Sequence, residues 1–306
     1  MNFKVVKCDM ADSSSQVILH PDDAETMGLK IGDRVTVKGS AGIWATLYGT
    51  SPTYANKGEV CMPEAFLARH GYQEGEVVDI EHSPRPESVG FIRKKMDRKK
   101  LSSNEIFEII KDILDGKLSD IEISAWLTAL QTVGMDIEEI AAHTRAMLET
   151  GDKLDFPDRP VFDFHSLGGV PGNKITPIVV SIVAAAGMMI PKTSSRAISS
   201  ACGSSDFIET FCNVELSAEE VKRIAMDVGG VFSWGGSMNL APVDDLVIRV
   251  ENPLGINPRA QMLASILSKK MAIGANYLLV DIPTGPGTKV PNKEAAHAYV
   301  RDLTDL

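Results

Sequence analysis

Three segments of this 306-residue chain are rich in the residue types that bind anions. The first, HSLGGVPGNK at residues 165–174, brings the backbone N–H groups of Gly168, Gly169 and Gly172 together just before an apolar helix, where the helix dipole favours negative charge. It lacks the GK[ST] ending of a Walker A loop, because Gly172 is followed by Asn173, Lys174 and Ile175, and it does not read GxGxxG. By itself it fits a phosphate cradle or simply a tight strand–helix turn. The second, Thr193 to Ser205, supplies seven hydroxyls around Arg196, more than helix propensity would select. Ser194, Ser195, Ser199, Ser200, Ser204 and Ser205 could meet a phosphate and a ribose, with Arg196 as a bidentate phosphate ligand. A helix cap in a solvated loop is the plain alternative. In the third, Arg249 precedes a helix in which Ser265 and Lys269 stand four apart and share a face. The turn PTGPGTK then adds Lys289 to the same rim.

The elements that must position these residues follow from periodicity. After Phe156, strands alternate with glycine-rich loops and helices: strands at 161–164, 188–190, 231–234 and 277–282, and a helix at 174–186. That alternation implies a parallel sheet covered on both faces, with its site at the strands' C-terminal ends. The apolar stretch Ile178 to Ile190 reads as a buried helix running into a strand, too short to span a membrane. Residues 101–150 read as three helices opened by the capping boxes Ser102/Glu105, Ser119/Glu122 and Asp136/Glu139, with Gly116, Gly134 and Gly151 as stops. Residues 84–100 read as a linker whose basic run is a solvated face. Residues 20–37 and 62–80 form a loose repeat of proline, short helical turn, glycine and strand, which suggests a pseudo-symmetric, double-psi-like β-barrel. The expected architecture is therefore α/β in three parts: a β-barrel-like domain at 1–84, a helical lobe at 85–155 and an α/β lobe at 156–306.

Composition narrows the function. A formal net charge of −10 argues against broad duplex-DNA binding, so no nucleic-acid partner is expected. The N-terminus lacks the layout of a secretion signal, and a cytoplasmic protein with no membrane partner is expected. Cys8, Cys61, Cys202 and Cys212 match neither a zinc ribbon nor a redox pair, and read as buried thiols.

Taken in order, HSLGGVPGNK, IPKTSSRAISSACGSSD and ASILSKKMAIG resemble the thymidine phosphorylase and AMP phosphorylase family, most closely its archaeal AMP phosphorylase branch. The resemblance covers essentially the whole chain, including an N-terminal domain like residues 1–84. It implies a pentosyltransferase: orthophosphate attacks the anomeric carbon of a nucleoside 5′-monophosphate, with AMP giving adenine and ribose 1,5-bisphosphate. Positioning and electrostatics would supply most of the catalysis. Orthophosphate is a substrate, and no metal or redox cofactor is implied. The resemblance also implies a homodimer or higher homo-oligomer and, since family members continue well past Leu306, a C-terminally truncated chain. The alternatives are a pyrimidine nucleoside phosphorylase and a non-catalytic nucleotide-binding or assembly module. The related phosphoribosyltransferases that make phosphoribosyl anthranilate use magnesium and a GTGGD-type loop, whose Asp is missing here.

Carried over by position, Gly169, Ser195, Arg196, Ala197, Ile198, Ser199, Ser200, Ser204, Ser265 and Lys289 fall where the AMP phosphorylase branch binds its nucleotide. His165, Arg249 and Lys269 fall where thymidine phosphorylases hold the base, and Ser166 with Gly168 belongs to the phosphate loop. Two positions depart. Phe164 stands where thymidine phosphorylases have a phosphate-contacting Lys, which Lys174 or Lys192 could replace. Asn257 stands where the AMP phosphorylase branch has an Asp general acid, and an amide cannot deliver a proton in that way, which leaves His165 as a substitute acid.

Overall fold

A computed structural model describes residues 1–9, 16–39, 42–157, 159–168, 170, 174–196 and 202–306. It divides into two compact units, Met1–Pro86 and Glu87–Leu306.

In the first unit six strands close into a barrel in the order β1-β5-β2-β4-β3-β6. They are β1 (Asn2–Cys8), β2 (Gln16–Leu19), β3 (Arg34–Lys38), β4 (Gly42–Thr50), β5 (Glu59–Pro63) and β6 (Val77–His82). β1 runs parallel to β5 and β2 parallel to β4, while the remaining pairs are antiparallel. The repeat is visible in the structure. Helix α1 (Pro21–Thr26) leads through Gly28 to β3, and α2 (Glu64–His70) leads through Gly71 to β6. Both glycines sit at positive φ, 67° and 74°, a backbone region that L side chains rarely adopt. Val5, Val35, Val37, Val60 and Ile80, on alternating strand positions, are fully buried in the barrel core. Not all four cysteines are buried thiols. Parallel pairing of β1 with β5 brings Cys8 and Cys61 together across 53 residues as a disulfide, while Cys202 and Cys212 are free and exposed.

The second unit opens with four helices: α3 (Glu87–Met96), α4 (Ser103–Leu114), α5 (Asp120–Thr132) and α6 (Ile137–Glu149). All three expected capping boxes are present, each side chain accepting the N–H three residues on. The expected linker is instead largely helix α3. Its Lys95 is buried and donates to both oxygens of Glu139 at 2.9 and 2.7 Å, while Lys94 pairs with Glu105 at 2.7 Å. Glu139 also accepts from the Leu101 and Asp136 amides, so one carboxylate closes a capping box and neutralises a buried cation. Gly151 acts less as a helix stop than as a close contact, since a Cβ there would lie 2.2 Å from the Leu240 carbonyl oxygen.

There follow β7 (Phe162–Ser166), α7 (Ile175–Ala185), β8 (Ile190–Ser194), α8 (Ser204–Ile208), α9 (Ala218–Val228), β9 (Gly230–Trp234), α10 (Pro242–Leu254), α11 (Arg259–Ala272), β10 (Tyr277–Asp281) and α12 (Lys293–Asp305). β10 pairs parallel with β7 and β8 parallel with β9, and a parallel bridge between Val161 and Met189 joins the pairs in the order β10-β7-β8-β9. The largely parallel sheet expected from sequence is therefore present. Helix α7 is not the buried segment expected: Val180 packs on Phe164 and Ile190, but Ile178 and Ile182 are 57% and 63% exposed. Helices α10 and α11 leave the sheet and share the core of the helical bundle, where Val243, Val247, Val250 and Ala264 pack with Ile106, Ile110 and Trp126. The bundle is thus built from two separated stretches of chain. Among the described residues, no helix is long and apolar enough to cross a membrane.

Candidate functional site

The C-terminal ends of β7 and β8 lie side by side, and the chain leaving each of them lines one cleft of about 500 Å³. One wall is His165 and Ser166 at the end of β7 with Gly168 after it, Lys192 and Ser194 at the end of β8 with Ser195 and Arg196 after it, and Gly203 and Ser204 opening α8. The facing wall is Asp244, Ile248 and Glu251 on α10, then Asn257, then Gln261 and Ser265 on α11, with Lys289 on the rim. Spacings of four and three put the α10 residues on one helical stripe. Because α10 and α11 are rooted in the bundle and the other wall in the sheet, the cleft lies between the two lobes of this unit.

The first wall is electropositive. Lys192 is buried, and its ammonium donates to the Thr193 carbonyl. Beneath it Lys270 pairs with buried Asp163 at 2.7 Å and reaches the Thr193 carbonyl at 3.3 Å. Burial, then the like charge of Lys270, holds Lys192 well below the usual lysine range. His165 is held well below the ordinary histidine value by burial and then by Lys270, Lys192, Lys269 and Lys289. Its imidazole is therefore neutral at pH 7 and has no imidazolium proton to give. Ser166 donates to Asp281 at 2.8 Å and accepts from the Gly168 amide at 3.3 Å, fixing the start of the glycine loop. Phe164 points away, into the core beneath α7. Lys174 and Lys192 both line the cleft, Lys174 with its ammonium 4.0 Å from the Phe207 ring centre.

The facing wall carries residues that the sequence did not single out. Asp244, 1% exposed, accepts from Lys269 at 2.5 Å and Ser265 at 2.8 Å through one oxygen and from Gln261 at 3.1 Å through the other. The Ser265–Lys269 pair expected from its spacing therefore exists, at 3.3 Å, but as part of a buried carboxylate network. Glu251 is 4% exposed, and its Oε1 has no hydrogen-bond partner among the described residues. Burial, then the nearby Asp244 charge, pushes its carboxyl up to about 7, against the opposing pull of Lys289 and Lys269. Burial also lowers Lys289, with Glu251 opposing. A repeated polar residue on an otherwise apolar α10 face was the available signal for Asp244 and Glu251. Asp163, an inward strand position in FDFHS, was the signal for the Lys270 pair.

Most of the expected ligands are brought together. Ser195 and Ser204 line the cleft, and Arg196 reaches it already paired bidentately with Glu209, at 2.5 and 2.8 Å, and with Glu215 at 2.9 Å. Arg249 is not brought in: its guanidinium is exposed and pairs with Asp120 of α5 at 2.8 Å. Asn257 is exposed at the cleft edge, 3.8 Å from the Met262 sulfur. Gly169, Ala197, Ile198, Ser199 and Ser200 lie outside the described residues.

A helical lobe followed by an α/β lobe is also what comparison with known proteins returns. A profile described as the helical bundle domain of a glycosyl transferase family matches residues 89–151, and the a/b domain of that family matches residues 158–298. The chain belongs to this glycosyl transferase family. AMP phosphorylases of Pyrococcus furiosus and Thermococcus kodakarensis are 46% and 47% identical to it over 308 positions, covering 100% of this chain and 61% of each relative. The chain thus spans about three-fifths of the length of these relatives. Among solved structures, the anthranilate phosphoribosyltransferase of Thermus thermophilus matches with a TM-score of 0.56 and 25% identity, over 69% of this chain and 63% of that one.

Proposed function

We propose that the cleft carries out phosphorolysis of a nucleoside 5′-monophosphate, with AMP as the first substrate. The observation that carries this reading is the juxtaposition of two strand ends whose residue types suit anions. Ser166, Gly168 and buried Lys192 form one; Ser195, Arg196 and Ser204 form the other; both open into the same cleft. Orthophosphate placed at the first would be neutralised by Lys192, which takes the place of the missing lysine at position 164. The 5′-phosphate placed at the second would exchange Glu209 for a stronger, equally bidentate partner of Arg196. The base would then lie toward α10 and α11, against Asn257, Gln261 and Ser265. With both phosphates fixed, orthophosphate is held for attack on the anomeric carbon as the base departs, and Lys192 and Lys289 offset the charge that accumulates. The 46% identity with an AMP phosphorylase across the full chain supports this choice of substrate. No metal or redox group enters the scheme. The same reading carries a homo-oligomeric assembly, which light scattering on the purified chain measures.

The direct test is incubation with AMP and phosphate, followed by chromatography for adenine. Adenine that appears only with phosphate supports the reading, and its absence rejects it. Arg196→Ala should weaken AMP roughly 10-fold or more while leaving adenosine unaffected, the range expected for one charge-assisted contact. Equal losses for both ligands would remove Arg196 from the phosphate clamp.

A further inference from the structure

The geometry points to Glu251 as the proton donor to the departing base. This rests on the phosphorolysis reading above and asks which side chain completes it. A base leaving as an anion needs an acid beside it, and the cleft offers few. Asn257 carries an amide. Asp244 has both oxygens occupied by Gln261, Ser265 and Lys269, so its carboxylate serves as an acceptor. His165 is neutral beneath its four lysines. Glu251 differs from all three: it is on the wall that faces the two anion sites, it is buried, and Oε1 is without a hydrogen-bond partner among the described residues. A buried, unpartnered carboxyl oxygen on a substrate cleft is either a cost to the fold or a group waiting for a ligand atom. Burial first, then Asp244 on its own helix, raise the carboxyl against the pull of Lys289 on the rim and Lys269 on α11, to about 7, where it is protonated often enough to donate and acidic enough to let go.

The step balances. A phosphate oxygen forms the bond to C1′ as the C1′–N9 bond breaks, and the bonding pair remains on the base. The Glu251 carboxyl proton passes to a base nitrogen, giving neutral adenine and a glutamate carboxylate. The new phosphomonoester is a stronger acid than the hydrogen phosphate from which it formed, so the proton it sheds restores the carboxyl.

The test compares AMP with its N7-methylated analogue, whose base leaves as a neutral molecule and needs no acid. For the wild-type protein the AMP turnover number should fall above about pH 7, and that alkaline limb should be missing with the methylated nucleotide. Glu251→Gln should lower the AMP turnover number about 100-fold or more, change the AMP KM little, and leave the methylated substrate within a few-fold of wild type. Equal alkaline limbs for the two substrates in the wild type overturn the assignment without any variant. So does a Glu251→Gln protein that keeps AMP turnover, or one that loses both substrates equally. Failure of the wild type to release base from either nucleotide rejects phosphorolysis itself, and is distinct from those outcomes.

Discussion

Lys192 combines two properties that oppose each other: its amine can carry a positive charge, and it is buried beside a second lysine, Lys270. Asp163 offsets part of this through its 2.7 Å pair with Lys270, and an orthophosphate dianion would offset the rest. Because burial and like charge hold Lys192 low, an arriving anion must raise it, and the same holds for His165. Phosphate binding should therefore take up protons at any pH between the free and bound values. Calorimetry in buffers of different ionisation enthalpy measures that uptake; an exchange of zero protons at every pH would contradict the arrangement. Lys192→Met should reduce the uptake and weaken phosphate roughly 10- to 100-fold, the range for a charge-assisted contact. His143 makes the opposite case away from the cleft. It is fully buried with neither ring nitrogen hydrogen-bonded among the described residues, and burial pushes it down to about 4, with Asp244 opposing. Its folded value lies below the unfolded one near 6.5, so the unfolded chain binds the proton more readily. Stability is complete above pH 6.5 and is lost as pH falls toward 4, by about 3 kcal/mol. Urea unfolding at pH 7 and pH 4.5 should show a smaller difference in His143→Phe than in wild type.

At the scale of elements, the signals that sequence carries are local, and their success and failure follow that limit. The capping boxes of α4, α5 and α6 involve side chains three residues apart, so Ser102, Ser119 and Asp136 could be read directly. The Asp244 network could not, because its donors Gln261, Ser265 and Lys269 follow 17, 21 and 25 residues later on another helix. For the same reason the strand–helix alternation after Phe156 could not tell that α10 and α11 join the bundle: an apolar face says that a helix is covered, not by what. Lys95 shows the error most plainly, since a basic run reads as solvated until Glu139 arrives from 44 residues away. That pair also yields a prediction for the bundle. Lys95→Met leaves a buried carboxylate that still binds two amides, and should cost about 3–5 kcal/mol in urea unfolding. The double variant Lys95→Met/Glu139→Gln should recover part of the loss, because the remaining buried group is then neutral. A single variant as stable as wild type would show the pair to be dispensable.

At the scale of the whole molecule, the two units draw on different sources of stability. Glu87–Leu306 has a bundle core in which Ile106, Ile109, Ile110, Trp126 and Leu127 are fully buried. Met1–Pro86 is small, and small domains bury a lower fraction of their surface, so a crosslink matters more there. The Cys8–Cys61 disulfide ties β1 to β5 in that unit alone, closing a loop of 53 residues across one of its parallel pairs. A loop of that length removes chain entropy from the unfolded state worth about 4 kcal/mol. Reduction should therefore lower the stability of the barrel without touching the unit that holds the cleft. Amide hydrogen exchange read by mass spectrometry resolves the two. With reductant, peptides from 1–86 should exchange faster, by up to about 1,000-fold where exchange requires unfolding of the barrel, a factor of ten for each 1.4 kcal/mol lost. Peptides from 87–306 should keep their protection, as should the whole chain in a Cys202→Ser/Cys212→Ser variant without reductant. Loss of protection in both units would mean that they unfold as one, and unchanged exchange in the barrel would mean that its core suffices without the crosslink.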